Sequence, residues 1–171
     1  MIRLQGDRVV LRAFREDEFD AVAAREAGPG AGEETRQRLR ERLWRSGQWT
    51  EHELRLAVEA DGILVGDCQA RVSDWALPRG VSELGIGLFE EETGKGYGPD
   101  VLRTLGRFLL EEEGYHRVQL ATDVANVAMR RAAEKAGFSL EGVLRGFMSA
   151  PFHDQPTDYA MYARTRADEE A

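Results

Sequence analysis

Only one cysteine, Cys68, occurs in the 171 residues, which excludes an internal disulfide and any site built from several thiolates. It lies in the alternating stretch Ile63–Val72 and reads as a buried, reduced thiol. Histidine is scarce as well: His52, His116 and His153 are too scattered to suggest a metal site. The sequence has no apolar run of 18 residues, and Met1-Ile2-Arg3-Leu4 lacks a hydrophobic signal region. The location expected is cytoplasmic, with no membrane partner. Basic residues are outnumbered, 23 against 31 acidic ones, for a net charge of -8. Such a chain repels nucleic acid unless its basic groups cluster. The one cluster, Arg36, Arg38, Arg40, Arg42 and Arg45, is interleaved with Glu33, Glu34 and Glu41 and spreads around a helix as a solvated face.

The length suits one domain, 1–171, with an acidic end from Ala167 to Ala171 expected to fray. Val9–Arg12 reads as a strand, and Glu16–Arg25 and Glu33–Trp44 as helices parted by Gly28-Pro29-Gly30-Ala31-Gly32. Leu54–Ala60 and Ile63–Val72 form a hairpin across Asp61-Gly62, and Val81–Phe89 is a further strand. From Gly98 the period changes. Val101, Leu102, Leu105, Phe108 and Leu109 mark a helix buried along one stripe, with Pro99 expected at its first position. Arg117–Ala121 returns as a strand. A helix carrying Ala128, Met129, Ala132, Ala133 and Ala136 then ends at Gly137 as a left-handed cap. Ser139–Ser149 and Asp158–Arg164 close the chain as strands. The expected fold is α/β in the α+β sense: a mostly antiparallel sheet of six to seven strands, one strand–helix–strand unit, and about four helices. Trp44, Trp49 and Trp75 are expected to cover core edges.

Between the strand Val81–Phe89 and the following helix lies Thr93-Gly94-Lys95-Gly96-Tyr97-Gly98. Glycine at every second position is costly in chain entropy. It lets successive backbone N–H groups converge on an anion, with the positive end of a helix behind them. A pyrophosphate suits such a cup. The spacing matches neither a Walker loop nor a G-x-G-x-x-G dinucleotide fingerprint.

The segment instead resembles the pyrophosphate loop, Arg/Gln-x-x-Gly-x-Gly/Ala, of the GNAT superfamily of acyl-CoA-dependent N-acetyltransferases. It departs from that pattern at Thr93. Glu83–Phe89 resembles the family's splayed strand, and Asp123–Arg130 with Glu134–Phe138 is similar to its D-x-x-N-x-x-A…E-K-x-G-F run. The opening Gly6–Arg12 and the ending Gly142–Tyr159 resemble the Rim-type branch, which includes acetyltransferases of ribosomal-protein N-termini.

The resemblance implies acetyl-CoA as cosubstrate and no metal. The amides of Gly94, Lys95, Gly96, Tyr97 and Gly98 would cradle the pyrophosphate. Leu88 and Phe89 would pair with the pantetheine arm and hold the thioester carbonyl, and Asn126 would bond the arm. Arg130 or Arg131 would reach the nucleotide, Arg131 being preferred. Glu83 sits where histone-type members place their base; its alternative is a surface ion pair. Ala133 occupies the usual position of an acid tyrosine, which leaves Tyr97, Tyr159 or Ser149 as donors, or a thiolate that leaves unprotonated. Glu90-Glu91-Glu92, adverse beside a phosphate, is expected to point into water. His153 and Asp154 would lie in a loop near the acceptor, and the Glu33–Glu53 region would wall it.

The partner expected is a primary amine, a protein or peptide N-terminus or a small molecule. Alternatives are an aminoglycoside-like acceptor and a non-catalytic acyl-CoA-binding regulatory module. The oligomeric state stays open, with a homodimer admitted.

Overall fold

The computed structural model describes residues 1–28, 30–73, 75–149 and 154–169. Its strands are β1 (Leu4–Gln5), β2 (Val10–Arg12), β3 (Glu53–Ala60), β4 (Ile63–Arg71), β5 (Val81–Leu88), β6 (Arg117–Asp123), β7 (Ser139–Met148) and β8 (Thr157–Thr165). The helices are α1 (Phe19–Ala27), α2 (Glu33–Trp44), α3 (Tyr97–Arg107), α4 (Val127–Lys135) and a single turn, α5 (Arg166–Glu169). All eight strands join one sheet in the order β1-β2-β3-β4-β5-β6-β8-β7. One pair, β5 with β6, is parallel and the other described pairs are antiparallel.

The sheet exceeds the expected six to seven strands because of β1, two residues too short to show alternation. The fifth helix, α5, falls where fraying is expected: Asp168 accepts from the Thr165 amide at 2.6 Å and its hydroxyl at 2.8 Å. Pro99 is the third residue of α3, not the first, because left-handed Gly96 (φ 85°) is the cap and Tyr97 begins the helix. After Arg107 the helix widens into a π turn, Phe108–Glu112, before Gly114 ends it at φ 81°.

Two faces of the sheet are covered differently. Under α3 and α4 lies a continuous apolar layer that includes Leu56, Val58, Leu102, Leu105, Leu109, Leu120 and Tyr162, each nearly or wholly excluded from solvent. Under α1 and α2 the apolar cluster is small, Phe14, Val22, Ala23, Leu43 and Ala57. Much of that second face is charged. Arg12, buried, donates to Glu59 at 2.8 Å and to Glu18 at 2.6 Å, and Arg15 also reaches Glu59 at 2.6 Å. Arg55, also buried, binds Asp67 at 3.0 Å and Glu26. The arginines of α2 are largely spent on such pairs: Arg38 with Glu34, Arg40 with Asp20 and Glu33, Arg42 with Glu53. Trp44 and Trp75 are 67% and 90% exposed, so they do not cover core edges; Trp44 meets Phe19 edge-on.

Candidate active site

The parallel strands β5 and β6 pair over three residues only, from Val81 opposite Arg117 to Glu83 opposite Gln119. Beyond Glu83, β5 continues against β4 as far as Leu88, while β6 continues against β8 as far as Asp123. The sheet therefore forks, and among the described residues Leu84–Leu88 presents an edge without a strand partner. The Phe89 amide donates to the Val65 carbonyl at 2.9 Å, toward β4. By the two-residue alternation of a strand, the Ile86 and Leu88 amides point to the opposite edge, into the fork.

At the mouth of the fork the chain turns into α3. Gly94 (φ 75°) and Gly96 (φ 85°) hold left-handed conformations that side-chain-bearing residues rarely adopt. They aim the loop at the first turn of α3, whose opening amides have no intrahelical partner. A cleft of about 360 Å³ opens there, lined on the loop side by Thr93, Gly94, Gly96, Tyr97 and Gly98 and on the strand side by Ile86 and Leu88. Across it stand Asn126, Met129, Arg131 and Lys135 of α4 and its cap. Seven of the residues expected to hold a cofactor thus share one cavity: Leu88, Gly94, Gly96, Tyr97, Gly98, Asn126 and Arg131. Phe89 and Lys95 are not on its wall. The Phe89 ring lies under the Arg25 guanidinium at 3.9 Å, and Lys95 Nζ pairs with Glu92 at 2.9 Å.

Two residues of the acidic run have basic partners. Glu91 pairs with Arg25 at 2.8 Å, and Glu92, only 19% exposed, with Lys95, so Glu92 does not point into water as expected. Hydrogen bonding to Arg25 lowers the Glu91 carboxyl pKa, and hydrogen bonding to Glu92 raises that of Lys95. Arg130 turns away from the cleft to Tyr162 Oη at 3.3 Å and the Val124 carbonyl at 3.1 Å, which leaves Arg131 on the wall.

The sequence motifs resolve into local mechanics. Asp123 accepts from the Ala125 amide at 2.7 Å and Asn126 Oδ1 from the Met129 amide at 3.0 Å, so both side chains shape the turn from β6 into α4. Gly137 (φ 87°) reverses the chain, placing Phe138 in the core, and Glu134 accepts from Tyr162 Oη at 2.9 Å. Ala133 is fully buried, and no tyrosine stands in its place.

Sequence reading misses the brace of the loop. Asp100 Oδ2 accepts the amides of Arg8 and Val9 at 2.7 and 3.1 Å, and its Oδ1 that of Asp7 at 3.2 Å. Held in this way, Arg8 lies over the Tyr97 ring at 5.0 Å and donates to the Lys95 carbonyl. An arginine from the amino-terminal segment thus supports the loop where the resemblance lacks one at Thr93. A methyl on Gly6 would stand 2.7 Å from both Asp100 Oδ2 and Thr104 Oγ1, so only glycine lets the segment approach this closely.

A second cavity, about 760 Å³, opens on the sheet face left bare by α1 and α2. Glu83, Glu53, Arg71, His52, Trp75 and Phe147 are on its wall. Glu83 is paired with Arg71 at 2.9 Å, and hydrogen bonding to Arg42 lowers the Glu53 carboxyl pKa. His52 and Glu53, from the Glu33–Glu53 region expected to wall the acceptor, line this cavity, whereas Trp49 turns aside to stack on Tyr115 at 6.0 Å and donate to Glu113 at 2.8 Å. His153 lies outside the described residues.

The Acetyltransferase (GNAT) domain family matches residues 8–139, more than half of the chain. The chain belongs to the GNAT acetyltransferases. No curated protein matches this GNAT chain by sequence, but solved structures share its fold. RimJ of Mycobacterium smegmatis, in complex with a CoA disulfide, is 19% identical with a TM-score of 0.71, over 98% of this chain and 87% of that one. The RimL ribosomal L7/L12 alpha-N-protein acetyltransferase, in complex with coenzyme A, is 17% identical with a TM-score of 0.74, over 96% and 98%. SpeG, the spermidine/spermine N-acetyltransferase of Vibrio cholerae, is 16% identical with a TM-score of 0.74, over 95% of each chain. Among the described residues no helix is long and apolar enough to cross a membrane.

Proposed function

We propose that this GNAT acetyltransferase moves the acetyl group of acetyl-CoA directly to a primary amine, a protein or peptide N-terminus, within a ternary complex. The observation that carries the reading is the opening of a strand fork and a left-handed glycine loop onto one cleft. The amides of Gly94–Gly98 would hold the pyrophosphate, with Arg131 and Lys135 opposite its negative charge. Asn126, Leu88 and the Phe89 backbone would flank the pantetheine arm. The Leu88 amide, aimed into the fork, would stabilise the negative oxygen that develops on the acetyl carbonyl.

Direct transfer is supported by the state of Cys68, the lone thiol. It is 1% exposed, and burial holds its pKa well above the ordinary thiol range, so it supplies no thiolate for an acyl-enzyme. Glu83 faces the acceptor cavity, and we assign it the transfer of protons between that cavity and water.

A peptide N-terminus is favoured over a polycationic small amine because Glu53 and Glu83 are already matched by Arg42 and Arg71. A spermidine or aminoglycoside pocket would offer carboxylates without such partners. The test is release of thiol from acetyl-CoA with Ser- and Ala-initiated peptides, spermidine and kanamycin, run beside thermal stabilisation by acetyl-CoA. Turnover on peptides is expected, and Glu83→Gln should lower kcat while leaving the KM for acetyl-CoA unchanged. Stabilisation without turnover on any amine would mark a binding module instead.

A further inference from the structure

On β5, Ile86 and Leu88 line the cofactor cleft on one side of the sheet, so Gly85 and Gly87 face the opposite side. The two glycines leave a trough there, and side chains of β4 lean across it. Gln69 Nε2 lies 2.8 Å from where a Gly85 methyl would stand, and Asp67 Oδ1 lies 3.2 Å from the corresponding point on Gly87. The backbones are also close: a methyl on Gly66 would sit 2.2 Å from the Gly87 carbonyl oxygen. Asp67 therefore overlies the fork itself, separated from the cleft by the thickness of one strand. Glu83 belongs to the paired stem of the fork, four residues down β5 or about 13 Å away.

The two oxygens of Asp67 are used differently. Oδ2 accepts from Arg55 Nε at 3.2 Å and Nη2 at 3.0 Å. Among the described residues no hydrogen bond engages Oδ1, the oxygen over Gly87. The side chain is 25% exposed and lies on the same sheet face as the larger cavity, though not on its wall.

From this placement, and resting on the acetyl-transfer reading above, we propose that Asp67 is a catalytic residue, the carboxylate that takes the proton from the acceptor ammonium at the fork. The ammonium gives one proton to Asp67 Oδ1, and the freed nitrogen pair attacks the acetyl carbonyl carbon. The C–N bond forms, the C–S bond breaks, and the sulfur leaves as a thiolate that receives the second proton shed by the nitrogen. Asp67, itself partly exposed, then returns the first proton to water. Arg55 positions the carboxylate through Oδ2.

The electrostatic setting agrees with this role. Burial raises the Asp67 pKa from the ordinary aspartate value; Glu26 of α1 adds to the effect, and Arg55 of β3 and Arg42 of α2 oppose it. Cys68, its neighbour on β4, is buried in the apolar core with its thiol protonated. A base raised in this way is better matched to an amine than an ordinary carboxylate is.

The test is a pH profile of kcat/KM for the wild type, Asp67→Asn, Asp67→Glu and Glu83→Gln with acetyl-CoA and a Ser-initiated peptide, with melting temperature and acetyl-CoA affinity measured alongside. Asp67→Asn is expected to lower kcat about 100-fold or more and to remove the acid limb, with acetyl-CoA affinity retained. Asp67→Glu should recover part of the rate with a displaced limb, and Glu83→Gln should keep the limb. If Asp67→Asn fails to fold, the displaced limb in Asp67→Glu decides. A limb that persists in Asp67→Asn, stays put in Asp67→Glu or vanishes in Glu83→Gln overturns the proposal alone. A wild type that turns over no amine overturns the acetyl-transfer reading and the proposal with it.

Discussion

The two faces of the sheet solve the burial problem in opposite ways. Beneath α3 and α4 the chain hides aliphatic side chains, and Leu102, Leu105 and Leu109 repeat at helical spacing against β-strand valines and leucines. Beneath α1 and α2 it hides charge, with Arg12 holding Glu18 and Glu59 and Arg55 holding Glu26 and Asp67. The apolar face fixes the helix whose amino end carries the glycine loop. The charged face is left partly open, and polar side chains there reach the fork. Aliphatic burial is concentrated on one side of the sheet, and the acceptor chemistry proposed above belongs to the other.

The largest effect should come from breaking a buried pair. Arg12→Ala takes the buried partner from the Glu18 and Glu59 carboxylates, side chains 12% and 10% exposed, and leaves them only the half-exposed Arg15. It should cost about 3–5 kcal/mol in urea unfolding. A loss under 1 kcal/mol would mean the charged face contributes little to holding α1. Leu105→Ala, the matching change on the apolar face, should cost about 2–5 kcal/mol and leave the acceptor preference unaltered. A changed preference would show that the faces are not separable.

The same contrast should appear in acid. Hydrogen bonding to Arg12 lowers the Glu59 carboxyl pKa. For Glu18, burial raises it, but hydrogen bonds from Arg12 and the Arg15 amide bring it below the ordinary value. Carboxyls lowered in the folded state stabilise it fully above the unfolded carboxylate pKa of about 4.3, and that contribution disappears as pH falls through the folded values. Melting temperature should therefore drop between neutral pH and pH 3, and drop less in Arg12→Ala; equal slopes would contradict the pairing. The smallest effect is expected at Arg38→Ala, whose exposed pair with Glu34 should be worth under about 0.5 kcal/mol.

These differences also explain what the sequence could reveal. The apolar face was legible because each residue's role follows from its spacing: the stripe through Leu105 and the cap at Gly137 stand where periodicity puts them. The glycine loop was legible for a similar reason, since alternate glycines before a helix have few structural uses. The charged face was not. Arg12, Arg55 and Asp67 owe their roles to partners that lie 6 to 47 residues away. The same holds for Arg8 and Asp100, joined across 92 residues. An aspartate early in α3 reads as a dipole partner, and only the fold shows it holding the amino-terminal segment. Trp44 and Trp75 misled because ring size suggests burial, whereas both rings stand in solvent.

The most direct measurement is a titration of the isotope-labelled protein with coenzyme A, followed through its backbone amide resonances. Gly94, Lys95, Gly96, Tyr97, Gly98 and Leu88 are expected to shift most and to saturate together, with Gly96→Ala weakening the titration at least tenfold in an otherwise folded protein. Saturable shifts centred elsewhere, or a Gly96→Ala variant that binds as tightly as the wild type, would contradict the proposed cofactor site.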